Sequence, residues 1–383
     1  MKRIPRHLPF TSVALLSAIL IARMPLAAHH SWDAEFDDKK PIKLAGVVTK
    51  FEWNNPHVFA FIDVADKTGN VVNWPCEFGS TSELKNAGWT HDSVKVGDMV
   101  TIDGSQARDG SNFCGGKTLT LASGKKLSSV FSNMPATAPK GVQAKAAPKW
   151  PDGHPRLGPE PGQRGYWSNP TAGGLYETSA GNIRMNKDGL LLNIADAGKV
   201  APFQPWAKGL YEYRQKTLLR DDPVVSCLPP SGPRQFMTAH GVQFVEQPDR
   251  QRIWVLSGGG NRNWRLIYLD GRPLPTSDDV SPTYFGYSSG KWQGDTLVVD
   301  VGVFTERFWF SNGGLPHTES LKLTEKFSRP DYNTLKYEVT VNDPAAYTRP
   351  WTGGWTLQWA ANQDIDEYWC QDNDLDPPHM AGK

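Results

Sequence analysis

The amino-acid sequence predicts a mainly β protein in which a small OB-like barrel is followed by a larger antiparallel barrel. Three observations lead to this prediction. The 383 residues include 36 Gly, 30 Pro and 15 Trp, a composition that favours turns and short strands over a helical bundle. Short runs rich in β-branched and aromatic residues recur between turn residues. The chain is also longer than one typical domain.

The first 28 residues have the layout of a secretory signal. Basic residues precede an apolar run at 13–22, which is too short to span a bilayer. Ala27 and Ala28 place small residues beside a cleavage position. An uncleaved anchor is the alternative, which the short run and Arg23 disfavour. We therefore expect a periplasmic protein without a transmembrane segment after cleavage.

The first domain is expected at residues 29–131. Ser80 and Glu83 form a capping-box pattern, which predicts a helix between the third strand and the fourth. Three strands, a helix and two further strands follow the order of an OB-type barrel. The five predicted strands lie at residues 42–53, 57–64, 71–78, 99–106 and 117–127.

Residues 132–175 are rich in Pro, Ala and Gly, and we expect an extended linker there. The second domain then spans 176–383. Apolar residues near helical spacing predict a helix at 204–220. The eight strands predicted after it form an up-and-down barrel of lipocalin-like type, or a strongly curled meander sheet. These strands lie at 242–246, 252–257, 264–269, 284–292, 296–303, 320–328, 334–342 and 355–361.

Charge and cysteine content restrict the partners and the compartment. The formal net charge of +1 argues against nucleic acid or an anionic membrane as a partner. The four cysteines show no tight metal-binding spacing, and in an oxidising compartment they form two disulfides by default. Three pairings are open. The domain division favours Cys76–Cys114 and Cys227–Cys370.

Residues 29–127 resemble a family of small exported bacterial proteins of unknown function. The likeness rests on the HHSW start, on EFDDKKPIKLAGVVTKFEWNNPH and on GSTSELKNAGWT. The second half resembles a recurring exported bacterial domain through YFGYSSGKWQGDTLVVD, GLPHTESL and NTLKYEVTVNDPAAYTRPW. These resemblances imply a bacterial periplasmic setting and supply no catalytic residues.

A metal site is predicted at the mature N-terminus. Cleavage after Ala28 would leave His29 with a free amine and an imidazole that together can chelate one ion, and His30 or His57 could add a third nitrogen. Nitrogen ligands of this kind favour Cu(II) among divalent first-row ions. The alternative is a solvated terminus whose histidines only form hydrogen bonds.

An acid–base pair is predicted at His317 and Glu319. They precede a predicted strand and would share one face if the strand geometry already holds there. An imidazole beside a carboxylate can transfer protons. The alternative is that His317 and Glu319 are an ordinary surface pair. His240, Asp270 and Glu306 are weaker candidates for a functional site, because their spacing shows no particular pattern.

Two glycine motifs have structural explanations that fit better than functional ones. Ser288 lies in a G-x-S-x-G pattern, but the residues after it predict a hairpin where a nucleophile elbow needs a helix. The three glycines at 258–260 lack the GK[ST] of a phosphate loop, which favours a flexible connection.

Four tryptophans lie on or near the strands predicted in the second domain. We expect most of them in the core, with some available to line a ligand cavity. The four are Trp254, Trp264, Trp292 and Trp309.

Three functions remain open from the sequence. The first is a cofactor-independent acid–base enzyme with a small-molecule substrate bound in the second barrel. The second is a non-enzymatic periplasmic protein that binds a ligand in the same cavity. The third is a copper-binding protein centred on His29. The fold class does not choose between them, because barrels support all three.

Overall fold

A computed structural model describes residues 31–129, 145–168, 170–238, 240–260 and 263–380 of the chain. The predicted secretory signal, together with His29 and His30, lies outside the described residues.

The first domain is built on a six-stranded sheet with the order β3-β2-β1-β4-β5-β6. All neighbouring strands in this order are antiparallel, and β3 also pairs with β5 in parallel, so the sheet curls back on itself. The strands are β1 (Phe36–Glu52), β2 (Phe59–Ala65), β3 (Val71–Glu77), β4 (Met99–Ala107), β5 (Cys114–Leu121) and β6 (Lys126–Ser128).

Two short helices accompany this sheet, α1 (Trp32–Glu35) and α2 (Thr81–Asn86). The predicted capping box is confirmed, since the Ser80 side chain accepts from the Glu83 backbone and the Glu83 carboxylate accepts from the Ser80 backbone. The mainly β class of this domain is as predicted, and its assignment as an OB-type barrel stays a prediction.

The second domain is a closed β-barrel, as predicted, but it has nine strands where eight were predicted. The ninth strand, β7, comes from the segment expected to be a linker and pairs with β15 and β8. The strands are β7 (Gly165–Ser168), β8 (Val242–Gln247), β9 (Arg252–Ser257), β10 (Trp264–Tyr268), β11 (Tyr287–Gln293), β12 (Thr296–Gly302), β13 (Lys322–Asp331), β14 (Thr334–Asn342) and β15 (Trp351–Ala361).

The barrel departs from a pure up-and-down arrangement at one seam. Strands β10 and β11 pair in parallel, through Ile267 with Ser288 and Tyr268 with Ser289. The chain between these strands returns to the starting end of β10 before β11 begins, so both strands run in the same direction. The other neighbouring pairs around the barrel are antiparallel.

The predicted helix before the barrel strands is present as α3 (Pro205–Lys216). Pro205 occupies the first turn, where a missing N–H costs nothing. The described 3₁₀ helices are Thr178–Ala180, Ile194–Lys199, Pro223–Ser226, Gly232–Phe236, Pro248–Arg250 and Pro377–His379.

Side chains fill the interior of the barrel. Residues of β13 and β14 alternate between buried and more exposed positions, as period-two strands with one face in a core must. The 3₁₀ segment Gly232–Phe236 enters this core, where the Phe236 ring packs 4.8 Å from Tyr337 and 5.1 Å from Phe327. The Trp355 indole donates a hydrogen bond to the Phe236 carbonyl, which holds the segment in place.

The prediction that most of the four tryptophans are in the core is wrong, because Trp264 is 56% exposed and Trp254 and Trp292 are half-buried. Trp264 lies on the outer face of β10, because the inward positions of this strand are Arg265 and Ile267. Its ring packs edge-on against Trp254, which is half-buried. Trp309 is buried as expected.

Both predicted disulfides are confirmed. Cys76–Cys114 joins β3 to β5 at their parallel pairing, and Cys227–Cys370 ties the C-terminal segment to the barrel domain. We use the name C-terminal segment for residues 362–380, which follow β15 and run along the first domain. Within the described ranges, no helix combines the length and the apolar character needed to cross a membrane.

Candidate metal centre

Three buried side chains with metal-ligating atoms meet where the first domain contacts the C-terminal segment. They are His57, Glu77 and Asp376, and one ligand atom from each lies within 4.8 Å of the others. The His57 Nδ1 atom is 2.9 Å from Glu77 Oε1 and 3.7 Å from Asp376 Oδ2. The three residues are at most 6% exposed. We call this group the interface cluster.

The first domain holds two members of the interface cluster on adjacent chain segments. His57 lies just before β2, and Glu77 is the last residue of β3, opposite Phe59 of β2. The neighbouring Cys76 is fixed by its disulfide to Cys114. A hydrogen-bonded sheet and a covalent bond therefore position the Glu77 carboxylate.

The third member arrives on the C-terminal segment, which several polar contacts dock on the first domain. The Asn55 side chain donates to the Glu367 carbonyl at 2.8 Å, and the Asn373 side chain donates to the His57 carbonyl at 2.7 Å. At the far end, His379 Nδ1 lies 2.8 Å from an Asp109 carboxylate oxygen. These contacts bracket Asp376 on both sides along the chain.

The distances within the interface cluster suit a metal ion. Two ligand atoms that each lie about 2.1 Å from a tetrahedral ion are about 3.4 Å apart. The separations of 2.9 Å and 3.7 Å from His57 Nδ1 bracket that value. An imidazole with two carboxylates is a donor set that divalent first-row metals accept.

A cationic side chain, Lys187, lies near the interface cluster. Two carboxylates and one imidazole meet here in a buried position, and buried charged groups need partners of opposite charge. Burial acts to lower the pKa of the nearby Lys187, but Asp188, Glu83 and Glu77 raise it overall. The Lys187 ammonium also pairs with Asp188 at 2.8 Å.

His240 of the barrel domain also faces this region. Desolvation lowers its pKa to about 4, against the opposing effect of the Glu83 carboxylate, so the imidazole is neutral at pH 7. Its ring packs edge-on against Tyr368 of the C-terminal segment at 4.8 Å. Two of the three glycines of the predicted flexible connection, Gly258 and Gly259, approach His240 so closely that a Cβ atom would contact it.

The start of the described chain lies against the same part of the first domain. Ser31 is 4% exposed, and the Trp32 amide donates to the Asp188 carboxylate at 3.2 Å. The Trp32 ring packs on Gly115, where a Cβ atom would clash with it. Gly115 is the β5 partner of Glu77, so the chain that follows His29 and His30 passes close to the strand end that carries Glu77.

The structure places the predicted acid–base pair in different environments. His317 is 9% exposed, with Nε2 2.9 Å from the Phe308 carbonyl and Nδ1 3.2 Å from the Thr318 carbonyl. The Glu319 side chain is exposed. The next strand, β13, begins at Lys322, so strand geometry does not align the two side chains. A role for this pair in proton transfer remains a prediction.

The weaker candidates have ordinary structural roles. Asp270 forms a bidentate pair with Arg272, and a Glu306 carboxylate oxygen accepts from the Glu319 amide. Ser288 is buried on β11, which forms a β-hairpin with β12. It does not lie on a strand-to-helix turn, and a hairpin is what the residues after it predict.

Sequence reasoning found one residue of the interface cluster and missed two. His57 was a candidate as a possible third nitrogen ligand beside His29. Glu77 and Asp376 carry no local signal, since each is one acid among 40. A pattern search limited to short spacings cannot join residues that belong to distant parts of the chain.

Comparison with known proteins gives one similarity. Residues 18–116 match a family of unknown function, DUF6152. The matched part contains His29, His30, His57 and Glu77, whereas Asp376 lies outside it. No curated protein and no solved structure shows significant similarity to the chain.

Proposed function

We propose that this chain is an exported metal-binding protein with its metal centre at the interface cluster. The observation that supports the proposal is the meeting of His57, Glu77 and Asp376 in a buried position, with ligand atoms within 4.8 Å of one another. The donor types and their separations favour a bound divalent cation.

We further propose that the N-terminal histidines complete this centre and make Cu(II) its preferred ion. The support for this part is that Ser31, the residue directly after the two histidines in the sequence, is buried. After cleavage at Ala28, the His29 amine and imidazole would add two nitrogen ligands. Nitrogen-rich sites bind Cu(II) more tightly than other divalent first-row ions.

Export is supported by the signal layout and by the two disulfides. Both described disulfides join cysteines of the mature chain, and such bonds persist in oxidising compartments. A metal centre that includes the mature N-terminus would form only after the signal has been removed.

Metal content and intact mass of protein isolated from the exported fraction test this proposal. We expect a mass that begins at His29, two disulfides and one equivalent of copper per chain. The isosteric variants E77Q and D376N should each lose most of the copper. D372N, which changes an exposed acid of the same segment, should keep it.

A histidine variant gives an independent arm. H57A should lose the metal, whereas H91A, which removes an exposed histidine of the same domain, should retain it. Circular dichroism and the disulfide mass show whether each variant is folded. Wild-type protein that contains no metal and takes up neither Cu(II) nor Zn(II) would refute the proposal. Folded E77Q with wild-type uptake would refute the site.

An added residue before His29 separates the two parts of the proposal. If the terminal amine is a ligand, this variant binds Cu(II) more weakly than the mature protein. Equal affinity would remove the N-terminus from the centre and leave the three-residue interface cluster as the site.

A further inference from the structure

A groove of about 660 Å³ lies on the outer face of the barrel, and none of its lining residues belongs to the interface cluster. Its floor is formed by outward-facing residues of β11 to β14, and the loop at residues 271–274 forms one wall. Ser289, Asp300, Thr324 and Thr340 are aligned across the floor, because each pairs with the next in the strand register. The groove therefore presents a row of hydroxyl groups with one carboxylate among them.

Two lysines flank this row on opposite sides. Lys291 is two residues beyond Ser289 on β11, and Lys322 is two residues before Thr324 on β13. Both side chains are exposed, and neither has a carboxylate within 4 Å among the residues that the structure describes. With Asp300 as the one acid of the lining, these two lysines leave the groove with an excess of positive charge.

The loop wall is held in place by its own contacts. The Arg272 guanidinium is paired with Asp270 and stacks 3.7 Å from the centre of the Tyr268 ring. The Ser289 hydroxyl donates to the Arg272 carbonyl at 2.6 Å. Leu274 and Pro350 add apolar surface to the lining. The wall is thus ordered without a ligand, as in binding sites that are largely pre-formed.

We infer that this groove binds a carboxylated saccharide. Sugar hydroxyls match the row of hydroxyl groups on the floor, and they can also donate to Asp300. The apolar wall can cover a face of the sugar ring, and each lysine can pair with a carboxylate of the ligand. The Ser289 hydroxyl donates to the Arg272 carbonyl and the Thr324 hydroxyl donates to Asp300, so the floor offers these hydroxyls to a sugar as acceptors. A neutral saccharide would leave both lysines unmatched, and an aliphatic acid would leave these acceptors unused.

Titration calorimetry with trigalacturonate as the acidic probe and maltotriose as the neutral one tests this inference. We expect trigalacturonate to bind and to bind more weakly as the salt concentration rises. K291M and K322M should each weaken binding roughly tenfold or more, since each removes a charge-assisted hydrogen bond. K336M, which changes an exposed lysine of β14 outside the groove, should bind as the wild type does.

Three results would overturn the inference. They are the absence of binding by trigalacturonate, equal affinity for maltotriose, and wild-type affinity in both groove variants. The copper content of K291M and K322M should equal that of the wild type, because the groove shares no residue with the interface cluster. Failure at one site is therefore distinguishable from failure at the other.

Discussion

Replacement of Glu325 by Gln tests the most deeply buried charge pair of the barrel. The Glu325 carboxylate lies 2.8 Å from an Arg265 nitrogen, and the two side chains are 0% and 1% exposed. The Tyr337 hydroxyl donates to the same carboxylate at 2.7 Å. E325Q leaves the Arg265 guanidinium buried without its counter-ion and weakens the bond from Tyr337.

The expected loss follows from that geometry. Removal of one partner of a buried pair costs about 3–5 kcal/mol, and Tyr337 adds about 1 kcal/mol if its hydroxyl finds no new acceptor. We therefore expect E325Q to lower the free energy of unfolding by about 4 kcal/mol. The double variant R265M/E325M should lose less than E325Q, because it removes both buried charges together.

Urea unfolding followed by tryptophan fluorescence measures these differences. The matched control is E338Q, which changes a half-exposed acid paired with Lys326 at 2.8 Å on the outer face. That surface pair should contribute less than about 1 kcal/mol. An E325Q loss no larger than that of E338Q, or a double variant less stable than E325Q, would refute the reasoning.

Two further predictions concern His317 and the longer disulfide. Burial lowers the pKa of His317 and outweighs the Phe308 and Thr318 carbonyls, which act to raise it. The Asp343 charge also acts to raise this pKa, and the Arg214 charge acts to lower it. The unfolded chain therefore takes up a proton more readily, and stability should fall as the pH drops below about 6.5; H317Q should flatten the curve of unfolding free energy against pH in that range, and an unchanged curve would contradict the assignment. Replacement of Cys227 and Cys370 by Ser opens a loop of 143 residues, which should cost up to about 5 kcal/mol and speed amide exchange in the C-terminal segment; unchanged exchange there would show that the polar contacts alone hold it.

Local signals in the sequence predicted much of the secondary structure. The capping box at Ser80 and Glu83 acts within one turn of helix, so its residues are close in the sequence and in space. Alternating residues predicted most of the barrel strands for the same reason. The even number of cysteines and the division into domains were enough to favour the two disulfide pairings that the structure contains.

The ninth strand and the parallel seam of the barrel were decided by tertiary structure. Gly165–Ser168 lies in a Pro- and Gly-rich stretch that could not form a strand alone, and it becomes one because β15 and β8 offer it hydrogen-bonding partners. The parallel pairing of β10 with β11 depends on the path of the connecting chain, which no residue pattern in either strand specifies.

The interface cluster was likewise decided by tertiary structure and not by a local sequence pattern. The sequence supplied His57 as a candidate ligand, but nothing near it indicated Glu77 or Asp376. Asn373, which docks the C-terminal segment on the His57 carbonyl, is 316 positions away in the sequence. Such a contact forms only when the C-terminal segment packs against the first domain. That packing brings the Asp376 carboxylate to the His57 imidazole, and no local sequence pattern specifies it.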